Sequence, residues 1–552
     1  MDPSTGIVGS LLHHAARTPW RPFLILRRGR YWQQYSYKEA VVETRRWAAA
    51  LRSAGVAADQ HVTIALTHCA DIYFAFLGAV WLGAVPTIIP FPTPKQDPSL
   101  YWPEYADLLA ELRPSALVTY ADNAQAMRQA LGGISCAVLE APLARSAEPE
   151  KAGDPAMIAA GRPLFVQYSS GTTGRRKGVA PDASLLAAHA AALGPALGLD
   201  GTDRIASWLP LYHDMGLVGC FLTPLSFGST IIALDPFEWT ADPAILLDAI
   251  ERFRATLVWM PNFAFRHTVR TLPEDAAYRL DTVRAFVSSA EPCRPETMAG
   301  FVTALSHLGV RGDQIRPCYG LAEAVLAAAL APPRPQPRTL RVDAVALEQD
   351  ARARVVRNGK SGSRAFASCG PALRGIELRI ASRGRGVGLP VGEIELRGSH
   401  CFQGYFRNSA ATDTAFRDGW YRTGDIGFIE GDELFVCGRT KEIVIVNGRN
   451  LYAPDVEAAA GEAAGVKPGR ICAFGVEDEE IGTERLIVLV ETADGQASRT
   501  LIRSVKSAIT RRLQATPHRV VAVPPGHLVK TTSGKMHRAE NRRRFLQDGA
   551  GG

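Results

Sequence analysis

The sequence predicts an α/β protein with a large N-terminal domain and a small C-terminal domain, and three observations support this fold class. The chain has 552 residues, more than one hydrophobic core usually serves. Helical patterns alternate with short apolar runs from about residue 40 to residue 330, which is typical of βαβ units around a largely parallel sheet. From 376 to 446 the runs are separated by glycine turns, a pattern that predicts a small antiparallel barrel or sheet.

The individual elements follow from where apolar residues cluster. Apolar runs predict buried parallel strands at 61–66, 116–119, 204–208, 230–234 and 256–260. Alanine-rich helical stretches lie between them, for example at 37–54 and 243–254. The later β-type runs lie at 376–380, 393–397, 425–428 and 433–437. Helices and strands mix again after 446, so we expect a domain of residues 1–438, a hinge at 439–442 and a domain of residues 443–552.

The most apolar stretch, residues 72–91, has two interpretations. Its nearly continuous hydrophobicity would suit a membrane span, but two prolines interrupt it and two glycines weaken it as a helix. The chain has no second stretch of this kind. We therefore predict a buried helix at 70–82, a buried parallel strand at 85–89 and no integral membrane insertion.

Charge and cysteine content narrow the class of protein. The formal net charge is +7, and the basic residues are dispersed rather than gathered in one run, so nucleic acid is not an expected partner. A nucleotide or an acidic carrier protein would suit this mild excess. The nine cysteines form no Cys-x-x-Cys pair, which argues against a zinc site. Their odd number predicts reduced thiols, and no signal-peptide-like core begins the sequence, so we expect a cytoplasmic protein.

The most informative stretch for chemistry is Gln167-Tyr168-Ser169-Ser170-Gly171-Thr172-Thr173-Gly174-Arg175-Arg176-Lys177-Gly178-Val179. Its glycines allow a tight loop, and its hydroxyls, backbone N–H groups and lysine ammonium can surround phosphate oxygens. The Gly-Lys-Ser/Thr ending of a Walker A loop is absent. A polar hairpin turn is the alternative, but the full string is far more specific. The candidate phosphate-binding residues are Ser169, Ser170, Gly171, Thr172, Thr173, Gly174 and Lys177.

This stretch resembles the phosphate-binding signature of the adenylate-forming superfamily, which includes acyl-CoA synthetases, peptide-synthetase adenylation domains, luciferases and fatty acyl-AMP ligases. Arg176 stands where that signature usually has proline. Further resemblances follow in the expected order along almost the whole chain: Ser289-Ala290-Glu291-Pro292, Pro317-Cys318-Tyr319-Gly320-Leu321-Ala322-Glu323, Tyr421-Arg422-Thr423-Gly424-Asp425, Gly438-Arg439-Thr440-Lys441-Glu442 and Lys530-Thr531-Thr532-Ser533-Gly534-Lys535.

The resemblance implies how a nucleotide would be bound. Ala290 and Glu291 would lie along the adenine, and the Tyr319-Gly320 pair would present an aromatic ring for stacking on the base. Asp425 would accept hydrogen bonds from both ribose hydroxyls. The arginine of the hinge segment, Arg439, would also reach the ribose.

The resemblance also implies the reaction and the moving parts. A carboxylate attacks the α-phosphorus of ATP, pyrophosphate leaves, and the acyl-adenylate is then transferred to a thiol. Glu323 would hold Mg²⁺, and the Lys535 ammonium would offset charge that develops on the α-phosphate. Lys441 would be the pivot about which the small C-terminal domain rotates between the two steps.

The implied fold is a large N-terminal domain of two flavodoxin-like αβ subdomains with parallel sheets plus a small β-barrel. A small, mobile α+β C-terminal domain would carry the catalytic lysine and act as a lid. An irregular, Pro- and Arg-rich segment at 332–367 interrupts the pattern. It is similar to an insertion of fatty acyl-AMP ligases that braces the two domains and disfavours the use of CoA.

Two further segments resemble the fatty acyl-AMP ligase branch. In Ser207-Trp208-Leu209-Pro210-Leu211-Tyr212-His213-Asp214-Met215-Gly216-Leu217, the resemblance places His213 beside the reacting carboxylate, although a buried structural histidine is the alternative. The segment Pro261-Asn262-Phe263-Ala264-Phe265 contains no anionic residue that would pair with an amino acid's ammonium group. An apolar tunnel for an alkyl or aryl acid is the simpler interpretation.

The predicted activity is therefore ATP-dependent activation of a carboxylic, most simply fatty, acid and its transfer to the phosphopantetheine thiol of an acyl carrier protein or carrier domain. An acyl-CoA ligase is the nearest alternative. A non-catalytic nucleotide-binding relative and a luciferase-like oxygenase are two others. The basic tail, with Arg538, Arg542, Arg543 and Arg544, would either meet an acidic carrier or form a solvated helix face.

Overall fold

The computed structural model describes residues 6–91, 98–141, 146–168, 177–273, 275–356, 362–382, 384, 386–446, 449–467, 469–478, 483–496, 498–513, 515–531 and 534–547. These residues form two parallel-stranded α/β layers, an antiparallel sheet and a small C-terminal α+β domain, which confirms the predicted fold class.

The first part of the chain contains fourteen described strands. They are β1 (Pro22–Arg28), β2 (Tyr31–Ser36), β3 (His61–Ile64), β4 (Val85–Ile88), β5 (Ala116–Thr119), β6 (Ala137–Glu140), β7 (Gln167–Tyr168), β8 (Gly178–Val179), β9 (Arg204–Ser207), β10 (Thr230–Ala233), β11 (Leu257–Met260), β12 (Ala285–Ser288), β13 (Ile315–Gly320) and β14 (Ala327–Leu330).

Helices lie between these strands. They are α1 (Gly6–Arg17), α2 (Tyr37–Ser53), α3 (Ala70–Trp81), α4 (Pro98–Leu112), α5 (Ala121–Ala130), α6 (Ala183–Leu197), α7 (Thr223–Phe227), α8 (Pro236–Ala241), α9 (Ala244–Phe253), α10 (Asn262–Thr271) and α11 (Pro295–Leu305). The π-helical turn Met215–Leu222 precedes α7.

The strands of this part form two main sheets. The larger has the order β14-β13-β12-β11-β9-β10-β1-β2, parallel throughout except at its antiparallel edge strands β2 and β14. The smaller has the order β4-β3-β5-β6 and is wholly parallel. All five predicted strands are present as β3, β5, β9, β10 and β11, and the two predicted helices as α2 and α9.

The apolar stretch at 72–91 forms a buried helix and a buried strand, as predicted. Every residue of α3 is buried. A Cβ atom at Gly78 would lie 2.7 Å from Cβ of Trp47 on α2, so the glycine is what allows the two helices to pack this closely. Across the described residues, we find no helix with the length and apolarity that a bilayer crossing requires.

The second part of the chain begins with an antiparallel sheet. Its elements are β15 (Thr339–Asp343), α12 (Ala344–Gln349), β16 (Arg352–Ala353), β17 (Ser363–Pro371), β18 (Ile376–Ala381), β19 (Leu389–Pro390), β20 (Gly392–Gly398), α13 (Ser409–Ala415), β21 (Phe416–Arg417), β22 (Trp420–Glu430) and β23 (Glu433–Arg439). The strand order is β15-β17-β23-β22-β20-β18, with β21 paired to β22. The four β-type runs predicted here fall within β18, β20, β22 and β23.

The expectation of an irregular segment at 332–367 is wrong for most of its described residues. It contains β15, α12, β16 and the start of β17. Val342 is fully buried, and the Asp343 side chain caps α12 by accepting from the backbone of Ala346 over 3.0 Å. These elements are short and β15 is held by its pairing with β17, so composition alone did not reveal them.

The C-terminal domain has its own core. Its elements are β24 (Ile443–Val446), β25 (Arg449–Tyr452), α14 (Ala453–Ala460), β26 (Ile471–Asp478), β27 (Thr483–Glu491), α15 (Arg499–Leu513), β28 (Arg519–Val523) and α16 (Arg538–Gln547). Residues of α14, β27 and α15, among them Val456, Val488 and Val505, are fully buried in a cluster separate from the N-terminal core.

Candidate active site

Three of the predicted nucleotide-binding residues form one hydrogen-bonded group at the ends of β13 and β23. The Tyr319 hydroxyl donates to Oδ2 of Asp425 over 2.7 Å, and Arg439 Nε donates to Oδ1 over 2.8 Å. Asp425 and Arg439 are direct partners in the β22–β23 register. The side chain of Asp425 is 6% exposed and that of Arg439 is 56% exposed, so this ion pair joins a buried carboxylate to an exposed guanidinium.

The Asp425 charge raises the pKa of both of its hydrogen-bond partners. The Asp425 carboxylate raises the pKa of Arg439, keeping the guanidinium charged. Burial, followed by the charge of Asp425, raises the pKa of Tyr319. The phenol therefore stays protonated and able to donate. Each Asp425 oxygen retains acceptor capacity after these two bonds, which is what two ribose hydroxyls would require.

Glu323 lies in the short 3₁₀ turn Ala322–Ala324 after β13 and is buried. Tyr405 donates its hydroxyl hydrogen bond to Glu323 Oε1 over 2.8 Å and lies 3.2 Å from the Tyr421 hydroxyl. The Lys177 ammonium lies 4.5 Å from the centre of the Tyr405 ring. Tyr405 thus contacts the Lys177 ammonium through its ring and the Glu323 carboxylate through its hydroxyl.

Tyr405 is a residue that the sequence interpretation missed. Its local sequence offers only Gly404 before it and the aromatic neighbours Phe402 and Phe406, and a buried core tyrosine has the same appearance. Its contact with Glu323 depends on tertiary structure. The predicted phosphate-binding residues Ser169, Ser170, Gly171, Thr172, Thr173 and Gly174 lie outside the described residues.

Lys535 lies at the base of a C-terminal loop that faces the N-terminal domain. Its backbone N–H donates to Thr531 Oγ1 over 3.2 Å, and Lys530 and Met536 form a bridge that closes the loop. Burial, and then the Arg439 charge, lower the pKa of Lys535. The charges of Glu291 and Asp214 raise it, which places the amine among groups from three N-terminal segments.

The Lys535 charge in turn affects the pKa values of these two carboxylates. Burial raises the pKa of Asp214 and of Glu291, and the Lys535 charge is the largest influence that lowers each. Asp214 Oδ1 accepts from the backbone of Met215 over 2.7 Å at the start of the π-helical turn. His213 lies just before this turn, and its ring centre is 4.8 Å from that of Tyr212. Asp214 had no role assigned from the sequence.

The loop after β12 carries Ala290 and Glu291. Ala290 has φ 68°, a left-handed conformation that is strained for a residue with a Cβ atom. Glu291 accepts a hydrogen bond from the Phe263 backbone over 3.0 Å, and Arg294 N donates to Asn262 Oδ1 over 3.0 Å. The loop is therefore attached to the start of α10, the segment predicted to line the acid tunnel.

Contacts between the 332–367 segment and the C-terminal domain are polar and partly buried. Arg449 Nη2 donates to Glu348 Oε2 over 2.6 Å and to the Leu513 carbonyl over 2.8 Å. Asn450 donates to the Glu348 carbonyl over 3.2 Å. Asp455 forms ion pairs with Arg364 and, over 3.3 Å, with Arg294.

The hinge and the basic tail are linked. Lys441 lies in the exposed 3₁₀ turn Thr440–Glu442. Arg538, at the start of α16, forms ion pairs with Glu442 and, over 2.7 Å, with Glu457. Since its side chain is only 17% exposed, Arg538 is not part of a solvated face. Further along α16, Arg543 and Arg544 both pair with Glu540.

Glu323 is the carboxylate proposed to hold Mg²⁺. The described residues contain no group of three His, Cys, Asp or Glu side chains that could hold a metal by itself. Mg²⁺ is commonly held by one or two carboxylates together with substrate phosphates. Glu323, near the ammonium that would attend those phosphates, fits this arrangement.

Comparisons with known proteins relate the chain to AMP-binding enzymes. A family model described as AMP-binding enzyme matches residues 11–406. A putative acyl-CoA synthetase of Caulobacter vibrioides is 31% identical, covering 92% of this chain and 89% of the relative. A medium-chain-fatty-acid–[acyl-carrier-protein] ligase of Moorena producens is 31% identical, covering 69% and 68%. A solved structure from a study of fatty acyl-adenylate ligases of E. coli and L. pneumophila has a TM-score of 0.89, at 25% identity over 99% of both chains.

Proposed function

Since the chain belongs to the AMP-binding enzyme family and is an adenylate-forming ligase that activates acids to acyl-AMP with ATP, we propose that its substrate is a fatty acid and its thiol acceptor an acyl carrier protein. The observation that carries the proposed site is that the charges of Asp214, Glu291 and Arg439 all act on the pKa of Lys535. The C-terminal amine is therefore near the residues around which a nucleotide would lie.

In the first step a carboxylate oxygen attacks the α-phosphorus and the bond to pyrophosphate breaks. Both reactants are anionic, so the barrier is largely electrostatic. Asp425 and Tyr319 would position the ribose and the base. The ammonium groups of Lys535 and Lys177 would offset phosphate charge, each contributing on the order of a 10²-fold effect on rate. Bound through Glu323, Mg²⁺ would supply further charge neutralisation.

The acid is proposed from the residues beside the site. Asn262, Ala264 and Phe265 of α10 are buried, and none of them carries a charge. These three side chains would offer an α-ammonium group no anionic partner, which disfavours amino acids. An alkyl chain has no such cost. The relative from Moorena producens carries the name of a medium-chain fatty acid ligase.

The acceptor is proposed from the 332–367 segment. Its Glu348 is buried and paired with Arg449 of the C-terminal domain, and Arg364 pairs with Asp455. A domain rotation large enough to reach a CoA-using arrangement would break these ion pairs, and separating a buried pair is costly. A brace of this kind would disfavour the CoA-using arrangement. The Caulobacter vibrioides relative, named as an acyl-CoA synthetase, keeps CoA as the second candidate acceptor.

Two assays test the proposal. Pyrophosphate release is measured across a panel of straight-chain fatty acids, aryl acids and amino acids, and we expect fatty acids to give the highest kcat/KM. The adenylate is then offered CoA or a phosphopantetheinylated carrier protein. Faster acyl-CoA formation than carrier loading would replace our acceptor with CoA, and preference for an amino acid would reject the proposed substrate class.

A further inference from the structure

One carboxylate of the C-terminal domain is held by two arginines of the N-terminal domain. Asp455 lies in the first turn of α14, and its side chain is 19% exposed. Its Oδ1 accepts a hydrogen bond from Arg294 Nη2 over 3.3 Å, and its Oδ2 accepts one from Arg364. Arg294 Nη2 also donates to the Pro454 carbonyl over 3.1 Å. The start of α14 is therefore attached directly to the N-terminal domain.

The two arginines come from different parts of the N-terminal domain. Arg364 belongs to β17, and its guanidinium lies 5.1 Å from the centre of the Phe366 ring and 4.7 Å from that of the Tyr452 ring. These cation–π contacts, and the pairing of β17 with β15, fix its position. Arg294 instead ends the loop of residues 289–294 between β12 and α11. Arg294 is thus the member of the pair that connects the C-terminal domain to this loop.

The 289–294 loop is itself tied to the start of α10. The Glu291 carboxylate accepts from the backbone N–H of Phe263 over 3.0 Å, and the backbone N–H of Arg294 donates to Asn262 Oδ1 over 3.0 Å. Only two residues separate Glu291 from Arg294, and one of them is a proline, which restricts the backbone. A change in the position of Glu291 would therefore also move the Arg294 side chain.

We propose that Arg294 is a positioning residue that couples the 289–294 loop to closure of the C-terminal domain that carries Lys535. The hydrogen bonds from Arg294 to Pro454 and Asp455 require the C-terminal domain to lie against the N-terminal domain, as it does in this structure. An interaction confined to this closed arrangement favours closure, and by linkage closure favours the loop position that forms it. The assignment of this loop to the adenine rests on the proposed function.

Arg294→Ala removes the link to the loop without leaving Asp455 unpaired. Arg364 still neutralises the carboxylate, so the substitution leaves no isolated buried charge. Because the link belongs to the closed arrangement, we expect the rate constant for pyrophosphate release to fall about 10-fold, as for the loss of one charge-assisted hydrogen bond. Transfer of the acyl group from a preformed acyl-adenylate does not need Lys535 beside the nucleotide and should not slow.

The experiment compares these two steps in the full-length protein. Pyrophosphate release is measured in single turnovers at saturating ATP, with the acid of the panel that reacts fastest. Transfer is measured from purified acyl-adenylate to whichever thiol, CoA or carrier protein, accepts the acyl group faster. Arg294→Lys keeps the positive charge and should recover part of the rate of release. Arg311→Ala is the matched control, because it breaks an exposed ion pair with Asp313 in the same domain and should change neither rate.

A double-mutant cycle tests the contact itself. Asp455→Asn removes the charge that Arg294 contacts, so Arg294→Ala should slow pyrophosphate release much less in that background than in the wild-type protein. Additive effects in the cycle would overturn the proposal. Unchanged pyrophosphate release in Arg294→Ala, or equal slowing of release and transfer, would overturn it as well.

The proposed function fails through different results. Fastest release with an amino acid would reject the proposed substrate class, and faster transfer to CoA would replace the proposed acceptor. Both results come from the wild-type protein. The comparison of release with transfer in Arg294→Ala is made with whichever acid and thiol react fastest, so it decides the role of Arg294 in either case.

Discussion

The Tyr405 hydroxyl donates a hydrogen bond to Glu323 over 2.8 Å while its ring faces the Lys177 ammonium. One buried side chain therefore orients the proposed metal-binding carboxylate and contacts a lysine of the phosphate-binding motif. A hydrogen bond to a charged group contributes about 1.5–3 kcal/mol. Removing this hydrogen bond should therefore lower kcat/KM measurably.

Tyr405→Phe keeps the ring beside Lys177 and removes the hydrogen bond to Glu323, together with the 3.2 Å contact to the Tyr421 hydroxyl. We expect kcat/KM for ATP to fall by about 10- to 100-fold and the Mg²⁺ concentration for half-maximal rate to rise. Pyrophosphate release measured across a Mg²⁺ titration checks both. Tyr37→Phe is the control, since Tyr37 makes a comparable buried hydrogen bond to the Ser229 carbonyl far from the site. An unaltered Mg²⁺ dependence in Tyr405→Phe would contradict the orienting role.

Lys535→Ala removes the amine that faces Asp214 and Glu291. We expect acid-dependent pyrophosphate release to fall by roughly 10²–10³-fold, because a preorganised cation is lost at the developing charge. Lys530→Ala changes a lysine on the same loop and should have a much smaller effect. Equal losses in the two variants would show a general electrostatic effect rather than a specific role for Lys535.

The fall of kcat/KM at alkaline pH should reflect the loss of the proton from Lys535. Burial lowers its pKa from the ordinary 10.5, so the amine loses its proton at a lower pH than an exposed lysine would. The ammonium is the active form, and kcat/KM should therefore decline as pH rises, with a break below 10.5. Lys535→Arg should move that break upward. A limb that is identical in the two proteins would assign it to another group.

Acid should destabilise the N-terminal domain through a buried histidine pair. His189 and His400 are fully buried, with ring centres 5.5 Å apart, and burial lowers the pKa of His400 from 6.5 to about 4. The unfolded chain binds the proton first, so stability is complete above pH 6.5 and falls as pH drops toward 4. Protonation of this one histidine would lower the free energy of unfolding by about 3 kcal/mol.

Urea unfolding at several pH values between neutrality and the acid range measures this loss. His400→Asn should show a shallower decline with falling pH than the wild-type protein. The exposed His307→Asn should retain the wild-type slope. If His400→Asn loses stability with acid as steeply as the wild-type protein, other groups account for the acid sensitivity.

Arg449→Ala tests the brace between the 332–367 segment and the C-terminal domain. It leaves Glu348, 3% exposed in this pair, without its cation. We expect acyl-CoA formation to rise relative to carrier loading while pyrophosphate release stays near the wild-type rate. Arg397→Ala, which breaks an exposed ion pair with Glu377, should leave the ratio unchanged. A ratio that is unchanged in Arg449→Ala as well would show that this contact does not select the acceptor.

Periodicity predicted the α/β part because it is dominated by local patterns. The run at 116–119 and the strand Ala116–Thr119 have the same bounds, since a fully buried parallel strand must be apolar along its length. The prediction for the 332–367 segment failed because strand β15 depends on its pairing with β17. The strand is only five residues long, too short for an alternation of apolar and polar residues to stand out.

Candidate site residues could be proposed from the sequence where chemistry requires a residue type at a fixed place in a motif. Asp425 and Arg439 were identified in this way, and they are in contact. Tyr405 and Asp214 were not, because their importance comes from proximity to Glu323 and Lys535, which are distant in sequence. Arg538 appeared as a surface charge for the same reason, since its partners Glu442 and Glu457 lie far upstream.

The pairing of β1 with β10 also has a consequence during translation. Leu24 lies opposite Ile231 in this register, so the hairpin of β1 and β2 has no neighbour in its sheet until the ribosome has made the strand it joins. At roughly 5–20 residues per second, that interval is on the order of 10–40 s. The apolar strand β1 thus waits with one edge unpaired over this interval, and we expect chaperones to bind the nascent chain at this stretch.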